Sequence, residues 1–131
     1  MKDRYGRTIE YMRVSVTDRC NLRCIYCMPP EGVPCVSHSD ILTFDEITRI
    51  CRIASTLGIS RIKLTGGEPL VRRDLPDLLG MIKDISGIEQ VTLTTNGILL
   101  KDKINELISK GLDSVNISID TLDPARYADI T

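Results

Sequence analysis

The stretch "RIKLTGGEPLVRRDLPDLLGMIKDI", Arg61 to Ile85, reads as one strand, one loop and one helix. Arg61 to Thr65 alternates, with Ile62 and Leu64 on one face and Lys63 and Thr65 on the other, as a strand with one dry face does. Two glycines follow, and from about Asp74 to Ile85 the apolar residues return at helical spacing, ending before Gly87. The same unit recurs on either side. Met12 to Thr17, Gln90 to Thr94 and Ser114 to Asp120 are the other predicted strands. A helix is predicted from about Phe44 to Leu57, with Thr43 as N-cap, Glu46 as its capping-box partner and Gly58 as the stop. Another runs from about Lys101 to Lys110 and stops at Gly111. Strands alternating with helices predict a parallel sheet built from crossover units.

The two phases of the strands differ in chemistry. Val14 and Val16, Ile62 and Leu64, Val91 and Leu93, and Val115, Ile117 and Ile119 form an apolar phase for helices to cover. Arg13, Ser15 and Thr17, Lys63 and Thr65, Thr92 and Thr94, and Asn116, Ser118 and Asp120 form a polar phase that must face water, a ligand or a polar cavity. Two architectures satisfy this: an open sheet with one wet face, and a parallel barrel with a ligand-holding interior. After the fourth strand, Asp123 can cap a further helix and Pro124 suits its first turn. Four strand-helix units, the last one short, make about half of an eight-stranded barrel of about 250 residues. The expectation is therefore an α/β chain forming a truncated, partial (β/α) barrel, either a fragment or a part completed by another chain.

The composition excludes several classes of partner. With 131 residues, 42% hydrophobic and 27% charged, the chain has the make-up of one globular domain, and a net charge of -1 gives no electrostatic reason to expect nucleic acid or an anionic membrane. "MKDRYGRTIEYM" has no apolar signal region, and no apolar run is long enough to span a bilayer. A cytoplasmic setting follows as the expectation. There the five cysteines are expected to be free, catalytic or metal-bound rather than paired.

Three of them crowd into "CNLRCIYCMPP", as Cys20, Cys24 and Cys27. A structural zinc site closes with four protein ligands, and His38, Cys35 and Cys51 are poorly placed to supply the fourth. Cys51 suits a buried helix face, and Cys35 lies in a loop. Three thiolates suit an iron-sulfur cube with one iron left open, while zinc completed by Cys35 or His38, or unrelated thiols, are the other readings. The loop follows the C-terminal end of the first strand, where barrel active sites are built. Gly66 and Gly67 permit a close main-chain approach to a ligand, or simply a turn.

The Cys-x3-Cys-x2-Cys loop, with Tyr26 before its third cysteine, and the following "TGGEPLVRRDL" resemble the signatures of the radical S-adenosylmethionine (SAM) superfamily. "RVSVTDRCNLRCIYCMP", "LTGGEPLVRRDL", "LTTNG" and "NISIDTLDP", in collinear order over the whole chain, resemble the N-terminal part of the GTP 3',8-cyclase family of molybdenum cofactor biosynthesis. The resemblance implies that residues 1–131 are the N-terminal part of a radical SAM barrel domain. It implies a [4Fe-4S] cluster on Cys20, Cys24 and Cys27, SAM against Tyr26, Gly67 and Ser118, and GTP against Arg13, Lys63 and Thr94. Many relatives carry arginine where this chain has Lys63; lysine keeps the charge but loses the planar fork. Arg72 and Arg73 are further cationic candidates, with ion pairs to Asp74 or the next helix as the alternative.

The resemblance also implies a chemistry. An electron from a reducing donor passes through the cluster and cleaves SAM to methionine and a 5'-deoxyadenosyl radical, which takes the C3' hydrogen of GTP. The ribose radical then attacks C8, the first step toward the molybdenum cofactor. A second [4Fe-4S] cluster belongs to the C-terminal part of such proteins, so the isolated chain is expected to be inactive in cyclisation and to expose an unpaired strand edge. Homo-oligomerisation is compatible with this reading. The rival readings are a peptide-modifying or activating radical SAM enzyme, and a non-enzymatic iron-sulfur or zinc module.

Overall fold

The computed structural model describes residues 2–131. In it the chain alternates strand and helix: β1 Tyr11–Ser15, α1 Phe44–Thr56, β2 Arg61–Thr65, α2 Leu75–Lys83, β3 Gln90–Thr95, α3 Leu100–Ser109, β4 Ser114–Ile117 and α4 Pro124–Ile130. Short 3-10 turns cover His38–Asp40 and Pro69–Val71. The four strands form one parallel sheet in the order β1-β2-β3-β4. Strands that lie side by side in chain order are what a (β/α) barrel requires, whereas a doubly wound sheet reverses direction part-way.

Local chemistry explains where the helices begin. Thr43 Oγ1 accepts the Glu46 N–H at 3.2 Å, and Glu46 Oε2 accepts the Thr43 N–H at 2.7 Å, closing the expected capping box on α1. Asp123 Oδ1 accepts the Ala125 and Arg126 N–H groups, and Pro124 opens α4. The predicted α2 start at Asp74 moves one residue on, because Asp74 adopts a left-handed conformation (φ 56°) as the cap.

Core burial is concentrated on the central strands. Ile62, Leu64, Val91 and Leu93 are fully buried against Ile47 and Cys51 of α1, Leu75, Leu78, Leu79 and Ile82 of α2, and Leu107 of α3. Each such aliphatic side chain contributes about 1.5–3 kcal/mol relative to exposure. The apolar phase of β4 departs from expectation. Val115 is half-buried, but Ile117 and Ile119 are 55% and 56% exposed. The reason is a lack of cover: α3 buries only Leu107, and α4 buries no residue. The outer strands are also shorter than predicted, although the ladder continues past their ends through Val16 N–H to Thr65 O at 2.8 Å and Ser118 N–H to Thr95 O at 2.9 Å. Among the described residues no helix is long and apolar enough to cross a membrane.

Candidate cluster and nucleotide site

Register gathers the polar phase into rows. Arg13 lies opposite Lys63, Lys63 opposite Thr92, and Thr94 opposite Asn116. The candidate GTP residues Arg13, Lys63 and Thr94 therefore share one face of adjacent strands. Lys63 Nζ donates to Asn116 Oδ1 at 3.0 Å and stands 6.0 Å from the centre of the Tyr11 ring. Ser118, the candidate SAM residue on the fourth strand's extension, is exposed on the same side of the chain's period.

Immediately beyond β1 the chain turns into the cysteine loop. Cys20 and Cys24 are half-buried and Cys27 is exposed, all three as free thiols. A turn closes around the last two, with the Cys27 and Met28 N–H groups donating to Cys24 O at 2.8 and 3.0 Å. The Leu22 N–H points at Cys20 Sγ at 3.4 Å, the kind of backbone donor that steadies a ligating thiolate. The loop is fastened to the far side of the sheet as well. Arg23 and Ile25 N–H groups donate to Thr131 O and Ile130 O at 3.2 and 2.9 Å, and Tyr26 Oη donates to Asp120 Oδ2 at 2.8 Å. That bond, with some burial and the neighbouring Cys24 sulfur, pushes the Tyr26 phenol up to about 12.

The glycine turn after β2 lies directly against the cysteine loop. Gly67 N–H donates to Thr17 O at 2.9 Å and Glu68 N–H to Arg19 O at 2.8 Å. A Cβ on Gly67 would overlap the Arg19 carbonyl oxygen, 2.7 Å from its carbon and 3.0 Å from Asp18 O; one on Gly66, at φ 145°, would overlap Thr17 O. The glycine pair thus serves a backbone-to-backbone approach within the chain. Glu68, 1% exposed, sits beneath this contact: its carboxyl accepts from Leu70 N–H at 3.0 Å, Thr95 Oγ1 at 2.7 Å and Asn96 N–H at 2.7 Å.

The other candidates fall elsewhere. Arg72 is spent on main-chain carbonyls, donating to Val16 O and, at 2.6 Å, to Leu42 O, with its guanidinium 4.5 Å from the centre of the Phe44 ring. Burial lowers its pKa. Arg73 lies on the surface, 3.8 Å from the Asp74 carboxylate. A cavity of about 590 Å³ opens beside β1 rather than over the polar face, lined by Val16, Arg19, His38, Phe44 and Arg72 among others. Cys35 and Cys20 line a smaller hollow of about 230 Å³, and Cys51 is buried in the core, its thiol pushed up to about 11 by burial.

Residues 14–131 match the family described as the radical SAM superfamily. The chain belongs to the radical SAM superfamily. A GTP 3',8-cyclase of Heliobacterium modesticaldum is 53% identical over all 131 residues, which are 40% of that protein. One from Petrotoga mobilis is 51% identical over the same span, 41% of its length. The chain thus spans about two fifths of the curated relatives it matches. Among solved structures, BtrN in complex with AdoMet and 2-DOIA superposes with a TM-score of 0.67 at 21% identity, over 95% of this chain and 52% of that one. An open conformation of BtrN gives 0.65 at 20% identity, over 92% of this chain and 55% of that one. These two likenesses concern the fold.

Membership of the radical SAM superfamily implies a [4Fe-4S] cluster and SAM as cofactors. The donor set suits a cube. Among the described residues no three His, Cys, Asp or Glu side chains converge where a single ion could be held. In a cube each thiolate takes its own iron, and the three sulfurs need not meet at one point. Sequence reasoning assigned no role to Glu68, Asn96, Asn21 or Asp120. Asp120 and Asn116 stood in the polar phase, and Asn21, Glu68 and Asn96 stood inside the quoted motifs, but their long-range partners are remote in sequence and gave no signal.

Proposed function

We propose that residues 1–131 are the N-terminal, SAM-binding part of a radical SAM barrel that acts as a GTP 3',8-cyclase in molybdenum cofactor biosynthesis. Cys20, Cys24 and Cys27 hold the cluster; Tyr26, Gly67 and Ser118 contact SAM; Arg13, Lys63 and Thr94 contact GTP. The observation that carries this reading is that the loop bearing three free thiols leaves β1 with its first residues, Thr17 and Arg19, against the glycine turn of β2, at the end of a face bearing Arg13 and Lys63 in register.

Bound there, the cluster and SAM supply the radical that abstracts hydrogen. The chain supplies position and charge. Arg13 and Lys63 give a triphosphate cationic contacts, with the Lys63 ammonium steadied by Asn116. The Tyr26 bond to Asp120 and the bonds from Arg23 and Ile25 to the end of α4 hold the cysteine loop over the sheet. The reading places the protein in the cytoplasm, with a reducing electron donor as partner and GTP as substrate. Residues from outside this span complete the substrate site, so the 131 residues alone bind a cluster and SAM without cyclising GTP.

Low-temperature EPR of the anaerobically reconstituted, reduced protein, recorded with and without SAM, tests it. A cube signal that changes with SAM, and disappears in Cys24→Ala, is the expected result. A signal indifferent to SAM would sink the reading, as would an iron site with a fourth protein ligand. GTP titration of wild type and Arg13→Ala distinguishes a cyclase from other radical SAM enzymes, since only the cyclase reading requires the affinity to fall.

A further inference from the structure

Asn96, in the turn after β3, is bonded through its backbone N–H and both ends of its side-chain amide. Its N–H donates to Glu68 Oε2 at 2.7 Å, its Oδ1 accepts the Ile98 N–H at 3.1 Å, and its Nδ2 donates to Asn21 Oδ1 at 2.8 Å. The Ile98 contact fixes which way the amide faces, so the amine end must point at Asn21. Asn21 directly follows Cys20, 75 residues away in sequence. Glu68 belongs to the glycine turn that lies against Arg19 and is gripped again by Thr95 Oγ1, which also accepts the Gly97 N–H at 3.0 Å. One residue, through its backbone N–H and its side-chain amide, therefore joins three loops: the cysteine loop of β1, the glycine turn of β2 and the turn of β3.

We propose that Asn96 is a positioning residue that sets the cysteine loop in register with the glycine turn, through Asn21 on one side and Glu68 on the other. In the proposed reading the cluster would sit on one of these loops and SAM would contact Gly67 on the other, so their relative placement governs how well SAM reaches the open iron. This inference rests on the cluster reading of Cys20, Cys24 and Cys27, and one arm of its test is independent of any cluster.

Asn21→Ala is the decisive variant, because it cuts the link while leaving the Asn96 turn and the Glu68 contacts intact. In the cluster-free chain, amide hydrogen exchange over residues 20–28 speeds up about three- to tenfold, the equivalent of one hydrogen bond, while α1 and β2 exchange as in wild type. In the reconstituted protein, the SAM concentration that half-completes the EPR change rises by a similar factor, with iron content and melting temperature close to wild type. Asn96→Ala gives the same loss of SAM binding, and the double variant is no worse than the more affected single one, because both remove one connection. A purely structural asparagine would lower the melting temperature and leave SAM half-saturation where it was. Unchanged exchange over residues 20–28 in Asn21→Ala, or losses that add in the double variant, would overturn the inference. A wild-type protein whose signal ignores SAM would instead overturn the cluster reading, and the exchange result would still decide the role of Asn96.

Discussion

Gly67→Ala is the substitution most severe for its size. The new methyl would overlap the Arg19 carbonyl, standing 2.7 Å from its carbon, and the obstacle is backbone rather than a side chain that can swing away. Ordinary contact begins near 3.4 Å, so the glycine turn and the cysteine loop must part by at least about 0.7 Å. That movement stretches two bonds at once, Gly67 N–H to Thr17 O and Glu68 N–H to Arg19 O. Overpacking costs about 1–3 kcal/mol, and the two weakened hydrogen bonds add about 0.5–1.5 kcal/mol each where they are lost. The expected destabilisation is about 2–6 kcal/mol, read from urea unfolding followed by circular dichroism. Gly80→Ala is the matched control. Its methyl meets only the Lys110 side chain, 3.3 Å from Cδ and 3.9 Å from Cβ, and it removes a glycine from inside α2, so it should be neutral or stabilising by up to about 1 kcal/mol. The reasoning fails if Gly67→Ala unfolds at the same urea concentration as wild type, or if the two glycines behave alike.

Glu68→Gln should cost about 1.5–3 kcal/mol, since the amide must turn a donor toward Leu70 N–H, Thr95 Oγ1 or Asn96 N–H in a buried site; equal melting temperatures would contradict it. Because the Tyr26 phenol is raised, its bond to Asp120 adds stability below about pH 10 that is lost as pH climbs through about 12. In Asp120→Asn one tyrosine should therefore ionise earlier in an ultraviolet titration, and an unchanged curve would count against the bond. Cys51 should resist a thiol reagent until the chain is unfolded, while the other four cysteines react in the native state; five fast thiols would refute the core placement.

What the sequence revealed was whatever is local. The capping box of Thr43 and Glu46 and the Asp123 cap with Pro124 depend on residues within one turn of each other, and both stand where expected. The alternation of Ile62, Lys63, Leu64 and Thr65 needs only the two-residue period of a strand, and the parallel sheet follows from the order of elements. Glu68 and Asn96 stood in quoted motifs, but their links to Thr95, to each other and to Asn21 span 27 to 75 residues, a separation no periodicity encodes. The glycine pair was noticed for its approach to a ligand, while its nearest backbone neighbours proved to be Thr17 and Arg19. Ile117 and Ile119 were expected under cover because their phase is apolar. Phase says which face a residue takes, and packing from other elements decides whether anything lies on it.

The tie between Asn21 and Asn96 reaches from the exit of β1 to the exit of β3, passing over β2. It can form only when all three strands have found their places. Closing so long a loop is entropically expensive and happens late. The cysteine loop therefore gains its hold on the β3 turn only once the sheet beneath it has formed.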